Sequence, residues 1–306
     1  MSVESDLKKD GIEVIKKLDT LRVNSIARTV SNSLCETFPD FNLNQNDLFI
    51  KLSRLDMYIA KMPEGMAEAN YFYKNTSIYF NDHIADEDLE EFAIHECIHY
   101  IQEIKDKRNN LIRMGLCNFD TLKITGMGLN EAAVQYLTSK VIGIQKEAVK
   151  YFGISFETIS PSYYPLECNL IEQLTYFTGD EILFDSTFTS NDKFKNYFIQ
   201  LTSSKTFTEI ELCCDQILEL EEEILRLNNK FYSYDERCNK VDKIVAKQDT
   251  LKKKITDTYL KAQDSLIKGY FDKAFKNISN LEELDNYRKK LDHYGNLIGR
   301  TDDYTF

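Results

Sequence analysis

Apolar residues between about Asp6 and Cys35 recur at helical spacing, through Ile12, Ile15, Leu18, Leu21, Ile26, Val30 and Leu34, and predict one or two opening helices. Pro39 and the asparagine-rich stretch after it end them. From Leu55 to Asn81 the period falls to two, in MYIAKM, ANYFY and SIYFN, with breaks at Pro63-Glu64-Gly65 and Lys74-Asn75-Thr76. Such alternation predicts a small antiparallel sheet of about three strands. A helix is then expected from near Asp86 or Asp88, acidic in its first turn and carrying Lys105, Lys107 and Arg108 in its last, as the macrodipole favours. A second, opened by Asn130 after Gly126 and Gly128, runs to Gly143, and a third starts at Tyr164-Pro165 and stops near Gly179.

Beyond Cys214 the pattern becomes a heptad: Ile217, Leu220, Ile224, Leu227, Phe231, Tyr234, Cys238, Val241 and Val245, then Ile255, Tyr259, Ala262 and Leu266. Gln248 and Lys252 fall on this seam and mark a bend. No Gly or Pro interrupts it before Gly269, after which Phe271, Phe275, Ile278, Leu281, Leu284, Leu291, Tyr294 and Ile298 form a second run. Two long helices folding back as an antiparallel hairpin are the expectation. The chain therefore reads as α+β and predominantly helical, with a mixed region over 1–213 and a helical hairpin, coiled-coil-like, over 214–306.

Composition narrows the function classes. A formal net charge of −12 over 306 residues excludes an extended phosphate-binding face and disfavours anionic membrane. The charged amino-terminal segment lacks an apolar core of signal-peptide type, and no stretch reaches membrane-spanning length. Seven cysteines, with no CxxC spacing and one adjacent pair, Cys213 and Cys214, form no disulfide framework and fit a reducing cytoplasm. The adjacent pair, and Cys97, read as buried thiols in the core.

Chemistry is concentrated in EFAIHECIHYIQ. Four residues apart on a helix, His95 and His99 lie on one face and can offer two imidazole nitrogens to one ion, while Glu96 beside them can exchange protons with a water at that ion. This HExxH arrangement most often holds zinc. The chain has only four histidines, so its assembly by coincidence is uncommon. A catalytic zinc needs a third protein ligand and an open position. Extension of the motif by glycine and a third histidine, as in metzincins, is excluded because Gln102 and Lys105 stand there. His83 lies in the turn before the helix and His293 in the heptad region. A glutamate from the second helix is the alternative: Glu131, in GLNEAAVQYL, has small Ala132 and Ala133 beside it to let the two helices approach. Glutamate in a first helical turn also serves simply as a dipole partner.

HExxH followed by a downstream NExx helix resembles the gluzincin group of zinc metallopeptidases, in which that glutamate is the third zinc ligand. The resemblance covers Asn70 to Gly143. It implies a zincin-like catalytic domain and a peptide or protein substrate lying extended beside SIYFN. Many gluzincins continue the glutamate motif with an aspartate that supports a histidine; here NEAAVQ offers Gln135 instead. The group usually also supplies a Tyr or His to the oxyanion, and Tyr164 is the candidate, with Tyr163 beside it as the other. Glu167 reads as a capping-box residue in preference to a site carboxylate. The expected function is zinc-dependent peptide-bond hydrolysis with Glu96 as general base. The alternative is a non-catalytic zinc-containing interaction or regulatory protein whose heptad helices bind a partner or a second copy of the chain.

Overall fold

In the computed structural model the described residues are 7–8, 11–41, 43–63, 67–120, 123–232 and 239–299. The opening segment is only half helical. Ile12, Val14 and Ile15 are β-branched, a stiffness that suits a pleated strand, and Glu13–Lys17 forms strand β1, followed by helix α1 (Thr20–Thr37). Asp19 caps α1, its carboxylate accepting the Arg22 N–H at 2.9 Å. After a single 3-10 turn at Pro39–Phe41, Asn44 caps a further helix, α2 (Gln45–Leu52), which the asparagine-rich stretch had concealed.

The three expected strands are present as β2 (Asp56–Lys61), β3 (Ala69–Phe72) and β4 (Ser77–Asn81). With β1 they form a four-stranded sheet of order β1-β2-β4-β3, in which β2 and β4 run parallel and the other pairs antiparallel. The sheet is therefore mixed and one strand larger than expected. Strand β4 is interior and buried along its whole length, so the edge strands are β1 and, on the side of β4, β3.

Helix α3 (Leu89–Gln102) follows a 3-10 turn at Asp86–Asp88 and ends sooner than its basic residues implied. Lys105 already lies in β5 (Glu103–Lys105), which opens a short antiparallel meander with β6 (Leu111–Met114), β7 (Cys117–Phe119) and β8 (Ile124–Thr125). These strands are too short to show a period. Helix α4 (Met127–Ile142) is bounded by Gly126 and Gly143, both left-handed with φ 78°, and so starts before Asn130. A hairpin of β9 (Glu147–Tyr151) and β10 (Ile154–Thr158) turns on Phe152 and Gly153 at φ 47° and 89°. Helices α5 (Pro165–Thr178), α6 (Asp180–Thr189) and α7 (Lys193–Leu201) complete this part, α5 with the expected bounds.

Helix α8 (Ser204–Tyr232) carries the chain unbroken across Cys213, and α9 (Asn239–Lys276) and α10 (Leu281–Leu297) follow. Ile217, Ile224 and Leu227 of α8 are buried, as are Ile255, Tyr259, Ala262 and Leu266 of α9. The chain does not turn at Gly269, which α9 passes without a break; Tyr234 and Cys238 of the heptad lie outside the described residues. Gly269 is interior to α9 because α8 presses on it: a Cβ there would stand 2.5 Å from the Thr206 side chain. Nor does α9 break at Gln248, which reaches across to Asn228 at 2.6 Å. A buried polar chain ties these helices to α5: Tyr259 donates to Asn169 at 2.5 Å and Tyr294 to Gln173 at 2.8 Å. Satisfied networks of this kind fix one packing arrangement among many apolar ones. No described helix is long and apolar enough to cross a membrane.

Candidate metal centre

The four-residue spacing on α3 brings His95 and His99 to one face, and α4 delivers Glu131 opposite them. His95 Nε2 lies 3.0 Å from His99 Nε2, and Glu131 Oε2 lies 3.2 and 3.4 Å from the two. Among the described residues this is the one group of three such donors close enough to share an ion. Three donors about 2.0–2.1 Å from a tetrahedral ion stand roughly 3.3 Å apart, so the triangle has the size of a zinc site. Two imidazole nitrogens facing at 3.0 Å cannot both carry protons, whereas one cation between them satisfies all three donors.

Electrostatics agrees. Burial acts to raise the Glu131 carboxyl, but His99 and His95 outweigh it and hold the group far below the usual carboxylate range. Burial likewise acts to lower His99, and the facing Glu131 reverses this. His95 Nδ1 donates to Gln135 Oε1 at 3.0 Å, which fixes the tautomer that leaves Nε2 for an ion. Gln135 stands one turn after Glu131 on the same helix, so α4 supplies both the carboxylate and the amide that face His95. Ala132 and Ala133 are fully buried, as close approach of the helices requires.

The start of α4 is held from far along the chain. Left-handed Gly126 brings no capping side chain, and Asp215 of α8 supplies one, its two oxygens accepting the N–H groups of Gly126 and Gly128 at 2.9 Å each. Gly128 lies against α8 so closely that a Cβ would stand 2.3 Å from the Cys214 carbonyl oxygen. Sequence reasoning missed Asp215, and its only trace was an acidic residue beside the adjacent cysteines.

Glu96 is buried, and its Oε2 accepts the Tyr71 N–H at 2.5 Å. The Asn81 N–H donates to the Glu68 carbonyl at 2.8 Å, which sets the phase of the β3-β4 ladder. By antiparallel alternation, Ala69 and Tyr71 then turn their peptide groups to the open edge. SIYFN, as interior β4, has no edge to offer an extended substrate; ANYF of β3 has, and it borders the site. Tyr164 adopts φ 48° just before α5 and stacks over His95, the rings 6.2 Å apart and inclined by 25°. Burial, then Glu131 and Glu96, keep its phenol protonated. Tyr163 turns outward and is 38% exposed.

Other candidates resolve simply. Glu167 makes no cap: it is fully buried with its carboxyl toward Glu221 of α8, and burial followed by that neighbour raises it well above the usual range. Glu221 itself is pushed up to about 7, chiefly by burial. His83 pairs with Glu68 and His293 stacks on Tyr176, so neither joins the site. All six described cysteines are free; Cys97, Cys213 and Cys214 are core residues whose thiols burial raises.

Two clefts open on His95, Glu96 and Tyr164. One runs along Asn70, Tyr71 and Tyr73 toward Leu218 and Glu222 of α8, and the other enters between Phe92, Thr138 and Ile142. No family model matches the chain, and neither does any curated protein or solved structure.

Proposed function

We propose that this chain is a zinc-dependent peptidase of gluzincin type, with a zincin-like region in the first two-thirds of the chain. The observation that carries the proposal is the convergence of His95 Nε2, His99 Nε2 and Glu131 Oε2 within 4.8 Å of one another, in a cleft that Glu96 also lines. Zinc there would supply Lewis acidity, polarising a scissile carbonyl and acidifying a water. Glu96 would serve as general base toward an attacking water and then as acid toward the leaving amine, one oxygen being fixed by the Tyr71 N–H and the other left for proton transfer. Tyr164 donates its phenolic hydrogen to the carbonyl oxygen as negative charge develops there. Gln135 keeps His95 in the ligating tautomer, and the outward peptide group of Ala69 pairs with an extended substrate. The free buried thiols suit a reducing cytoplasm, and the charge of −12 suits neither nucleic acid nor anionic membrane as a partner.

Metal analysis of the purified chain tests the ligand set. Wild type and Glu96→Gln retain about one zinc per chain through dialysis, whereas Glu131→Ala does not. Cleavage of a mixed peptide library, abolished by chelator and restored by zinc, tests the reaction; the Glu96→Gln exchange lowers it by about 10²–10⁴-fold. Full zinc retention in Glu131→Ala would remove Glu131 as a ligand.

A second reading has its own observation. Phe275 and Leu281, at the α9-α10 corner, are 58% and 84% exposed. In that reading the zinc is structural and the C-terminal helices dock a protein partner or a second copy. Chelator-sensitive cleavage would sink it.

A further inference from the structure

The cleft entered between α3 and α4 has a composition of its own. It reaches from His95 and Glu96 into a cavity of about 100 Å³, room for one side chain. Phe92, Ile142 and Ile144 form apolar walls. Beside the neutral Gln135 and Thr138, the charge it adds to His95 and Glu96 is of one sign, from the carboxylates of Glu68 and Glu91. Both lie near the Tyr163 phenol, since after burial they are what raise its pKa. Glu68 meets His83 at 2.5 Å, and among the described residues no Lys or Arg pairs with Glu68 or Glu91.

We propose that this cavity receives a lysine or arginine side chain of the substrate, next to the scissile bond, a reading that rests on the peptidase function proposed above. Long basic side chains have two chemistries in sequence, an aliphatic stem and a cationic head, and bury the first while keeping the second among polar groups. The walls match the stem. Glu68 and Glu91 match the head, and Tyr163, which lines the same cleft, adds an aromatic ring beside them. A purely aliphatic residue would fill the walls and leave Glu91 without a cationic partner and Glu68 with His83 alone. An acidic residue would meet two like charges, and repulsion of that kind is how a site rejects the wrong partner. The overall charge of −12 favours the approach of a basic peptide.

Blocked tripeptides test this, Ala-Lys-Ala against the same peptide with norleucine, which keeps the stem and removes the charge, and with glutamate. Binding to zinc-loaded Glu96→Gln is measured by calorimetry and cleavage by wild type is measured in parallel. The lysine peptide should bind about tenfold more tightly than the norleucine peptide and the glutamate peptide most weakly. Glu68→Gln/Glu91→Gln in that background should bring the lysine-to-norleucine ratio close to one, and Glu91→Lys should favour glutamate. Equal binding of the lysine and norleucine peptides, or binding of none, overturns the subsite. Absence of chelator-sensitive cleavage by wild type overturns the peptidase reading instead, and the calorimetric ratio decides the subsite in either event.

Discussion

Glu131 and Glu167 lie on adjacent packed helices, α4 and α5, and both are withdrawn from water, yet their carboxyls are driven in opposite directions. Glu131 faces two imidazoles and stays ionised. Glu167 faces another carboxyl, that of Glu221, and holds its proton. Burial is common to both, so what separates them is the partner across the gap. One site is arranged to hold a cation; the other tolerates repulsion between two acids to close the contact of α5 with α8.

Removing the imidazoles should break the contrast most completely. His95→Leu/His99→Leu is expected to lose the retained zinc and to leave Glu131 in the situation of Glu167, with its carboxyl raised, which carbon-detected NMR titration would show. A Glu131 that still titrates low would mean that groups other than the histidines hold it down. Gln135→Ala leaves the ligands and removes their support, and zinc affinity should fall by about 10–100-fold in competition with a chromophoric chelator. Unchanged affinity would show that His95 needs no such partner.

On the other side of the comparison, Glu167→Gln removes the repulsion. In the unfolded chain both acids ionise near 4.5, whereas in the folded protein Glu221 does so only at about 7 and Glu167 higher. Between those limits the native state binds more protons than the unfolded one, so this pair makes stability fall as pH rises from 4.5 through 7. The glutamine variant should be more stable at pH 8 by roughly 1–3 kcal/mol and should show a flatter loss between pH 5 and 8 in denaturant melts. Identical slopes would mean that the pair does not share a proton. The smallest effect is expected from Asp215→Ala, at about 0.5–2 kcal/mol of stability for a lost cap, together with weaker zinc retention. Zinc affinity that survives the loss of stability would limit Asp215 to a role in folding.

The part of this contrast that depends on neighbours along the chain was legible before the structure. His95 and His99 share a helical face because of their spacing alone, with Glu96 beside them, and Glu131 follows a glycine pair that announces a helix start. Nothing local distinguishes Asp215 or Glu221, since what each does is decided by a helix packing from some ninety or fifty residues away in sequence. Gln135 was visible as a departure, and only the facing His95 showed that an amide serves. In the sheet, alternation located β2, β3 and β4 but could not say that β4 lies inside, because strand order is set by pairing partners and not by period. The heptads marked the seam at Ile217 to Leu227 and at Ile255 to Leu266 but not at Val245, Phe275 or Leu281, which are exposed, and Gly269 reads as a helix end in sequence and is a contact point in space.

Gly128 can be considered as a mechanical stop. A helix that slips by one residue advances about 1.5 Å and turns by about 100°, which would swing Glu131 off the histidines altogether. With no side chain, Gly128 lets the Cys214 carbonyl touch the backbone itself, and Asp215 grips the N–H groups on either side of the same point. Only one register of α4 satisfies both. The tolerance of the metal centre is thus set where two backbones meet, one turn before the ligand, and a single added methyl there should detune the centre without touching any of its donors.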